Sequence, residues 1–172
     1  MGLLRRYTRG MNRDSGIIFA ICVLAILVGG ILYLGATPDT KPTEEVSFSV
    51  LSAGAAAVEM HEQKNYRVLD EEHFVEVWKL AYGTEAPMPN VDFDTHEVLA
   101  VFDGERTSGG YKVEVERILD LGTVREVRIV RTAPGTSCIT TQALTSPFQM
   151  VVVPKTDNRI DRKDVNATVA CE

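Results

Sequence analysis

The sequence predicts an α+β protein: an N-terminal transmembrane helix, then a small antiparallel β domain, sandwich or barrel-like, with one α-helix packed on it. Residues 16–36 carry no charged side chain. Within residues 71–82, Phe74, Val77, Trp78 and Ala81 recur at helical spacing. Beyond Gly83 the apolar residues alternate with charged ones or form short continuous runs, the patterns of half-buried and fully buried strands.

The uncharged run GIIFAICVLAILVGGILYLGA has 21 residues, and as a helix it would reach roughly 31 Å, the thickness of a bilayer core. A cleaved signal peptide has a shorter apolar region, and the best exit site here, Leu34-Gly35-Ala36, puts a bulky Leu where a small residue is needed. Cys22 lacks the small residue before it that lipoprotein processing requires, and reads as a small apolar member of the span. Arg5, Arg6, Arg9 and Arg13 precede the span with only Asp14 against them, which places the N-terminus in the cytoplasm. The expected order is a cytoplasmic tail (1–15), an anchor in the lipid bilayer of the cytoplasmic membrane (16–36), a linker, TPDTKPTEE (37–45), and an extracytoplasmic domain (46–172). Ala25 and Gly29 form a single small-residue pair, too common to signal a dimer. From residue 37 onward, 14 Lys and Arg stand against 23 Asp and Glu, a net charge of −9. That balance suits solubility and speaks against nucleic acid as a partner.

In the domain, Val46, Phe48 and Val50 alternate with polar neighbours as a first strand over residues 46–51, and residues 66–69 offer another. Residues 54–58 are small and apolar, and leave open whether the strand continues or bends. Asp70 reads as an N-cap, Glu71 and Glu72 suit the positive end of a helix dipole, and Gly83 stands as the stop. Trp78 lies on the apolar face of that helix and reads as core. Residues 98–102 (VLAVF) read as a strand covered on both faces, and residues 111–119 and 123–131 as a hairpin. A loop centred on Leu121 would set Val115 against Val127, Val113 against Ile129 and Glu114 against Arg128. It would also oppose Glu116 to Glu126 and Arg117 to Arg125, like charges that only a bulge would relieve. A last strand, 148–153, lies between Pro147 and Pro154.

Glycine-rich loops near basic residues can cradle phosphate, and FDGERTSGGYKVEV (102–115) has that look. A strand rather than a helix follows Gly109 and Gly110, so no helix N-terminus faces an anion, and the glycines read as a turn or a close backbone approach, with Gly104 in the same structural loop. Asp92, Asp94 and His96 are spaced by two and could ligate a divalent metal, or close turns through side-chain to backbone hydrogen bonds; the latter reading is preferred, with no metal. His61 and His73 read as solvated. Ser137, Cys138, Thr140 and Thr141 offer hydroxyls and a thiol without a recognisable base, so no catalytic residue and no cofactor is assigned. Cys138 and Cys171 both lie on the exported side, where a disulfide would persist and contribute about 3 to 4 kcal/mol on the chain-entropy model. Asn166-Ala167-Thr168 fits a glycosylation acceptor, a match that matters only in a eukaryotic secretory host.

The β half resembles the C-terminal domain of the protease complex subunit PrcB family over roughly residues 90–155. The carrying features are Val91-Asp92-Phe93-Asp94 before a hydrophobic strand, Gly104-Glu105-Arg106 leading to Gly109-Gly110-Tyr111, then Pro134-Gly135, Cys138, Gln142-Ala143 and Thr145-Ser146-Pro147-Phe148. Ser108 between Thr107 and the glycine pair, and Phe148 where Tyr is common, depart from the family pattern. The resemblance implies a non-catalytic component of a membrane-linked or exported complex, with an unknown protein partner and a protease as the candidate. The contact surface expected is Asp103, Glu105, Arg106 and Tyr111, with Arg106 and Tyr111 as anchors, since both residue types concentrate at interface hot spots. Two alternatives stand beside it: a hydrolase using a metal at Asp92, Asp94 and His96 or the thiol of Cys138, and an envelope sugar- or peptide-binding module, which would need Trp78 exposed.

Overall fold

The computed structural model describes residues 43–171. The expected cytoplasmic tail, the anchor and most of the linker lie outside the described residues. Among the described residues, no helix is long and apolar enough to cross a membrane.

The described chain forms eight strands and one helix: β1 (Glu44–Glu45), β2 (Ser49–Gly54), β3 (Lys64–Val68), α1 (Glu71–Tyr82), β4 (His96–Phe102), β5 (Lys112–Leu121), β6 (Val124–Pro134), β7 (Phe148–Pro154) and β8 (Arg159–Val169). They build two four-stranded sheets, ordered β1-β5-β6-β8 and β2-β7-β4-β3. The α+β expectation holds, in the form of a sandwich rather than a barrel.

VLAVF explains the layering. Leu99 and Val101 of β4 join Val151 and Val153 of β7 against Val113, Val115, Ile118, Val127 and Ile129 of the other sheet. Val98, Ala100 and Phe102 point the opposite way and pack with Phe74, Val77, Trp78 and Ala81 of α1. The central strand is therefore buried on both faces, and the order of layers is helix, sheet, sheet. The helix has the expected bounds. Asp70 accepts from the backbone N–H of His73 at 2.8 Å, and Gly83 closes the other end at φ +75° by donating to the Lys79 carbonyl.

Several sequence expectations are corrected. Residues 46–48 are not strand: Val46 and Phe48 pack into the core between the sheets, and pairing resumes at Ser49. The β5–β6 hairpin turns at Gly122 and Thr123, with Leu121 opposite Val124 and Gly122 at φ +77°, a two-residue turn in place of the loop centred on Leu121. Val115 therefore opposes Ile129, Ile118 opposes Val127, and a bulge falls at Glu116. The bulge has a packing cause, since Val113, Val115 and Ile118 differ in parity and only an extra residue turns all of them inward. It also relieves the like charges foreseen: Glu116 pairs with Arg128, and Arg125 turns in to Asp120 at 2.8 Å.

Among the eight strands the antiparallel description fails at one pairing. β8, absent from the sequence reading, lies parallel to β6 along its whole length, from Val124 opposite Arg159 to Pro134 opposite Val169. The chain crosses from β7 in one sheet to β8 in the other through residues 155–158. Two arginines hold this crossover. Arg67 donates to Asn158 O at 3.2 Å and to Thr156 O, Arg125 donates to Pro154 O, and buried Glu97 lies between them, 2.8 Å from Arg67 Nε. Burial pushes the Glu97 carboxyl above its ordinary value, against the opposing pull of Arg67 and Arg125.

Candidate functional site

The loop after β4 begins with Asp103, only 3% exposed. An unpaired carboxylate at that depth would be costly, and it is not unpaired. Arg106 donates to both of its oxygens, Nε to Oδ2 at 2.8 Å and Nη2 to Oδ1 at 2.9 Å, while Arg131 of β6 donates Nη1 to Oδ1 at 3.0 Å. Arg131 is fixed in turn by Asp164 of β8 at 3.0 Å, Phe102 O at 3.2 Å and Asn65 Oδ1 at 3.2 Å. The guanidinium of Arg106 lies over the ring of Tyr111, 5.3 Å from its centroid. Asp103 holds Arg106 protonated, raising its already high pKa.

The glycines shape this loop by close approach as well as by conformation. At Gly104, φ is +74° and a Cβ would stand 2.7 Å from the backbone nitrogen of Gln63. Gly109 donates to Thr141 O at 2.9 Å, and a Cβ there would meet Thr141 Oγ1 at 2.4 Å, so the 103–111 loop lies against the 135–146 loop. Arg106 and Thr145 exchange backbone hydrogen bonds of 2.7 and 2.9 Å, and Thr145 Oγ1 donates to Ser108 O at 2.8 Å. Gly110, at φ +88°, makes the turn, and Gly109 makes the close approach to Thr141.

Arg106, Tyr111, Asp103 and Arg131 line a cavity of about 200 Å³ together with Thr132, Ala133, Asn166, Ala167 and Thr168. Of the expected contact residues, Arg106 and Tyr111 come together here. Asp103 lies beneath them as the buried anchor of Arg106. Glu105 points elsewhere: it is exposed and pairs with His61 at 3.1 Å. Arg131, Asn166 and Thr168 were missed as site residues. Arg131 carries a legible signal, because it continues the inward parity of Val127 and Ile129, and an arginine at a core position calls for a buried acid. Asn166 and Thr168 carry none, since β8 itself went unread.

The other candidates resolve differently. Asp92 accepts from the backbone of Asp94 at 3.1 Å and from Thr95 Oγ1 at 2.7 Å, closing the turn before β4, and these bonds hold its carboxyl below its ordinary value. Among the described residues no group of His, Cys, Asp and Glu is arranged to hold a metal. Cys138 is bonded to Cys171, with Cα atoms 5.0 Å apart, so the thiol that one alternative required is absent. Trp78 is buried, its ring 5.7 Å from Phe74 and 4.4 Å from Tyr82, and presents no platform for a sugar.

A sandwich with a helix on one outer face and a pinned arginine at a loop cavity defines a class: a small α+β domain of two sheets and one helix. Residues 98–154, from β4 through β7, match the family model described as PrcB C-terminal, so the resemblance drawn from the sequence holds over that segment. No curated protein and no solved structure matches the chain. The match takes in Asp103, Arg106, Tyr111 and Arg131, and leaves out α1 and β8.

Proposed function

We propose that this chain is a non-catalytic, protein-binding accessory subunit of a protease or envelope complex, anchored in the cytoplasmic membrane by residues 16–36 with its folded domain outside. The observation that carries the reading is Arg106, held bidentately by buried Asp103 and stacked on Tyr111 beside a cavity. An arginine fixed before a partner arrives loses little side-chain entropy on contact, which is what an interface anchor needs. The PrcB C-terminal match supports the accessory role. The uncharged span behind an arginine-rich N-terminus supports the anchor and its orientation.

Crosslinking in intact membranes, followed by identification of co-purifying proteins, tests the reading. The full chain should capture a defined partner, and Arg106→Ala with Tyr111→Ala should release it while the domain keeps its circular dichroism spectrum. Unchanged capture by that double variant removes the loop as the contact surface. Protease treatment of intact cells should digest the domain and spare the N-terminal tail; the opposite pattern removes the proposed orientation.

A further inference from the structure

A guanidinium has two edges on which a carboxylate can sit with two parallel hydrogen bonds. On Arg106 the Nε/Nη2 edge is occupied by Asp103. The end-on edge, formed by Nη1 and the remaining hydrogen of Nη2, faces away from Asp103, and among the described residues no acceptor stands on it. The hydroxyl of Tyr111 and the side chains of Asn166 and Thr168 on the same cavity are likewise without a hydrogen-bond partner among the described residues. The charged groups around this point are Arg106, Arg131, Asp103 and Asp164. Both carboxylates are already engaged by Arg131, and its Nε, Nη1 and Nη2 all donate within the fold. What remains unused is donor capacity on Arg106, flanked by hydroxyls and by the apolar surfaces of Tyr111, Ala133 and Ala167. A cavity of about 200 Å³ has the volume of one amino-acid residue rather than of a folded element.

We propose that this cavity receives a carboxylate of a partner polypeptide, held end-on by Nη1 and Nη2 of Arg106, with Tyr111, Asn166 and Thr168 as the surrounding donors. The planar two-oxygen geometry of a carboxylate matches the open edge. The stem behind it rests on Tyr111, Ala133 and Ala167. This inference deepens the reading of the chain as a protein-binding module and rests on it. The same chemistry can come from a chain terminus or from an Asp or Glu side chain, and the probes below separate the two.

The full chain in detergent, ¹⁵N-labelled, is titrated with N-acetyl-Ala-Ala bearing a free carboxylate, with its C-terminal amide, and with N-acetyl-Ala-Glu-Ala amide. The expected result is a saturable shift of the Arg106 Nε–H and Gly110 resonances with at least one of the acids and none with the amide of the first peptide. A response to the first acid alone assigns a chain terminus, and a response to the Glu peptide assigns a side chain. Arg106→Lys keeps a cation beside Asp103 but loses the fork, and should bind the acid about tenfold more weakly. Equal binding of acid and amide, no binding of either acid, undiminished binding by Arg106→Lys, or tighter binding of inorganic phosphate than of the acids overturns the proposal. A chain that captures partners from membranes yet does not distinguish acid from amide keeps the protein-binding reading and loses this one. One that binds the acid at Arg106 yet captures nothing keeps the site and loses the broader reading.

Discussion

Asp103 accepts from two arginines at once, and this makes it the keystone of the loop although it has almost no surface of its own. Removing one member of a buried ion cluster leaves its partners desolvated without compensation. Asp103→Ala should therefore lower unfolding free energy by about 3 to 5 kcal/mol, measured by urea denaturation. A loss comparable to that of an exposed pair, under about 1 kcal/mol, would mean that the arginines find other acceptors. Glu97 makes the opposite electrostatic statement. Burial raises its folded pKa above the ordinary 4.5, ahead of the lowering by Arg67 and Arg125. The folded state therefore binds the proton more tightly, so the stability linked to Glu97 is fully present below its unfolded pKa and is lost as pH rises through the raised folded value. Denaturation curves taken at intervals from about pH 4 to about pH 7 should show this fall in the natural chain and lack that component in Glu97→Gln. Parallel slopes in the two chains would remove the assignment. Asp92 runs the other way, its contribution present above 3.8 and fading as pH falls, because Thr95 and the Asp94 amide stabilise its ionised form.

At the scale of elements, the bulge at Glu116 yields the sharpest expectation. Deleting Glu116 removes the extra residue and brings Val113, Val115 and Ile118 into strict alternation, so that all three can face the core without a bulge. On the packing account the deletion variant should keep its cooperative thermal transition. Glu116→Ala removes only a half-exposed pair with Arg128 and should cost less than about 1 kcal/mol. A deletion variant that loses the transition would show that the bulge serves sheet curvature rather than packing. The same hairpin shows why the sequence is legible in some elements and not in others. The helix was readable to its cap and stop because Asp70, the apolar positions and Gly83 all act within its own turns. VLAVF was readable as doubly covered because burial on both faces leaves no polar positions. The β5–β6 register was not, since it depends on which residues the opposite sheet needs turned inward. β8 was invisible for a related reason: its positions opposite Val127, Ile129 and Arg131 are Arg162, Asp164 and Asn166, so beyond Ile160 the inward positions of this strand are polar and show no apolar alternation. Arg106 and Tyr111 could be picked out as a local pair, whereas Arg131 and Asn166 reach the same cavity only through sheet pairing.

For the whole domain, the Cys138–Cys171 bond joins the far end of β8 to the loop that supports the site. β8 meets the body of the domain through its pairing with β6 and through the Arg131–Asp164 contact, and its last residues form one wall of the cavity. On the other side of the disulfide, the 135–146 loop holds Gly109 through Thr141 and Arg106 through Thr145. Opening the bond frees both at once. In the double variant Cys138→Ser, Cys171→Ser, global stability should fall by about 2 to 4 kcal/mol, since the unfolded chain regains the entropy of the closed loop. The loss should also be uneven. Amide exchange at Gly109, Gly110 and the end of β8 should accelerate more than exchange in α1, whose cap and packing lie on the far side of the second sheet. Hydrogen exchange read residue by residue separates this from simple global destabilisation, in which the slowest amides of α1 and of the site loop would accelerate together. Uniform acceleration would leave the disulfide a staple of the fold alone. The uneven pattern would make it a support of the surface on which Arg106 is presented.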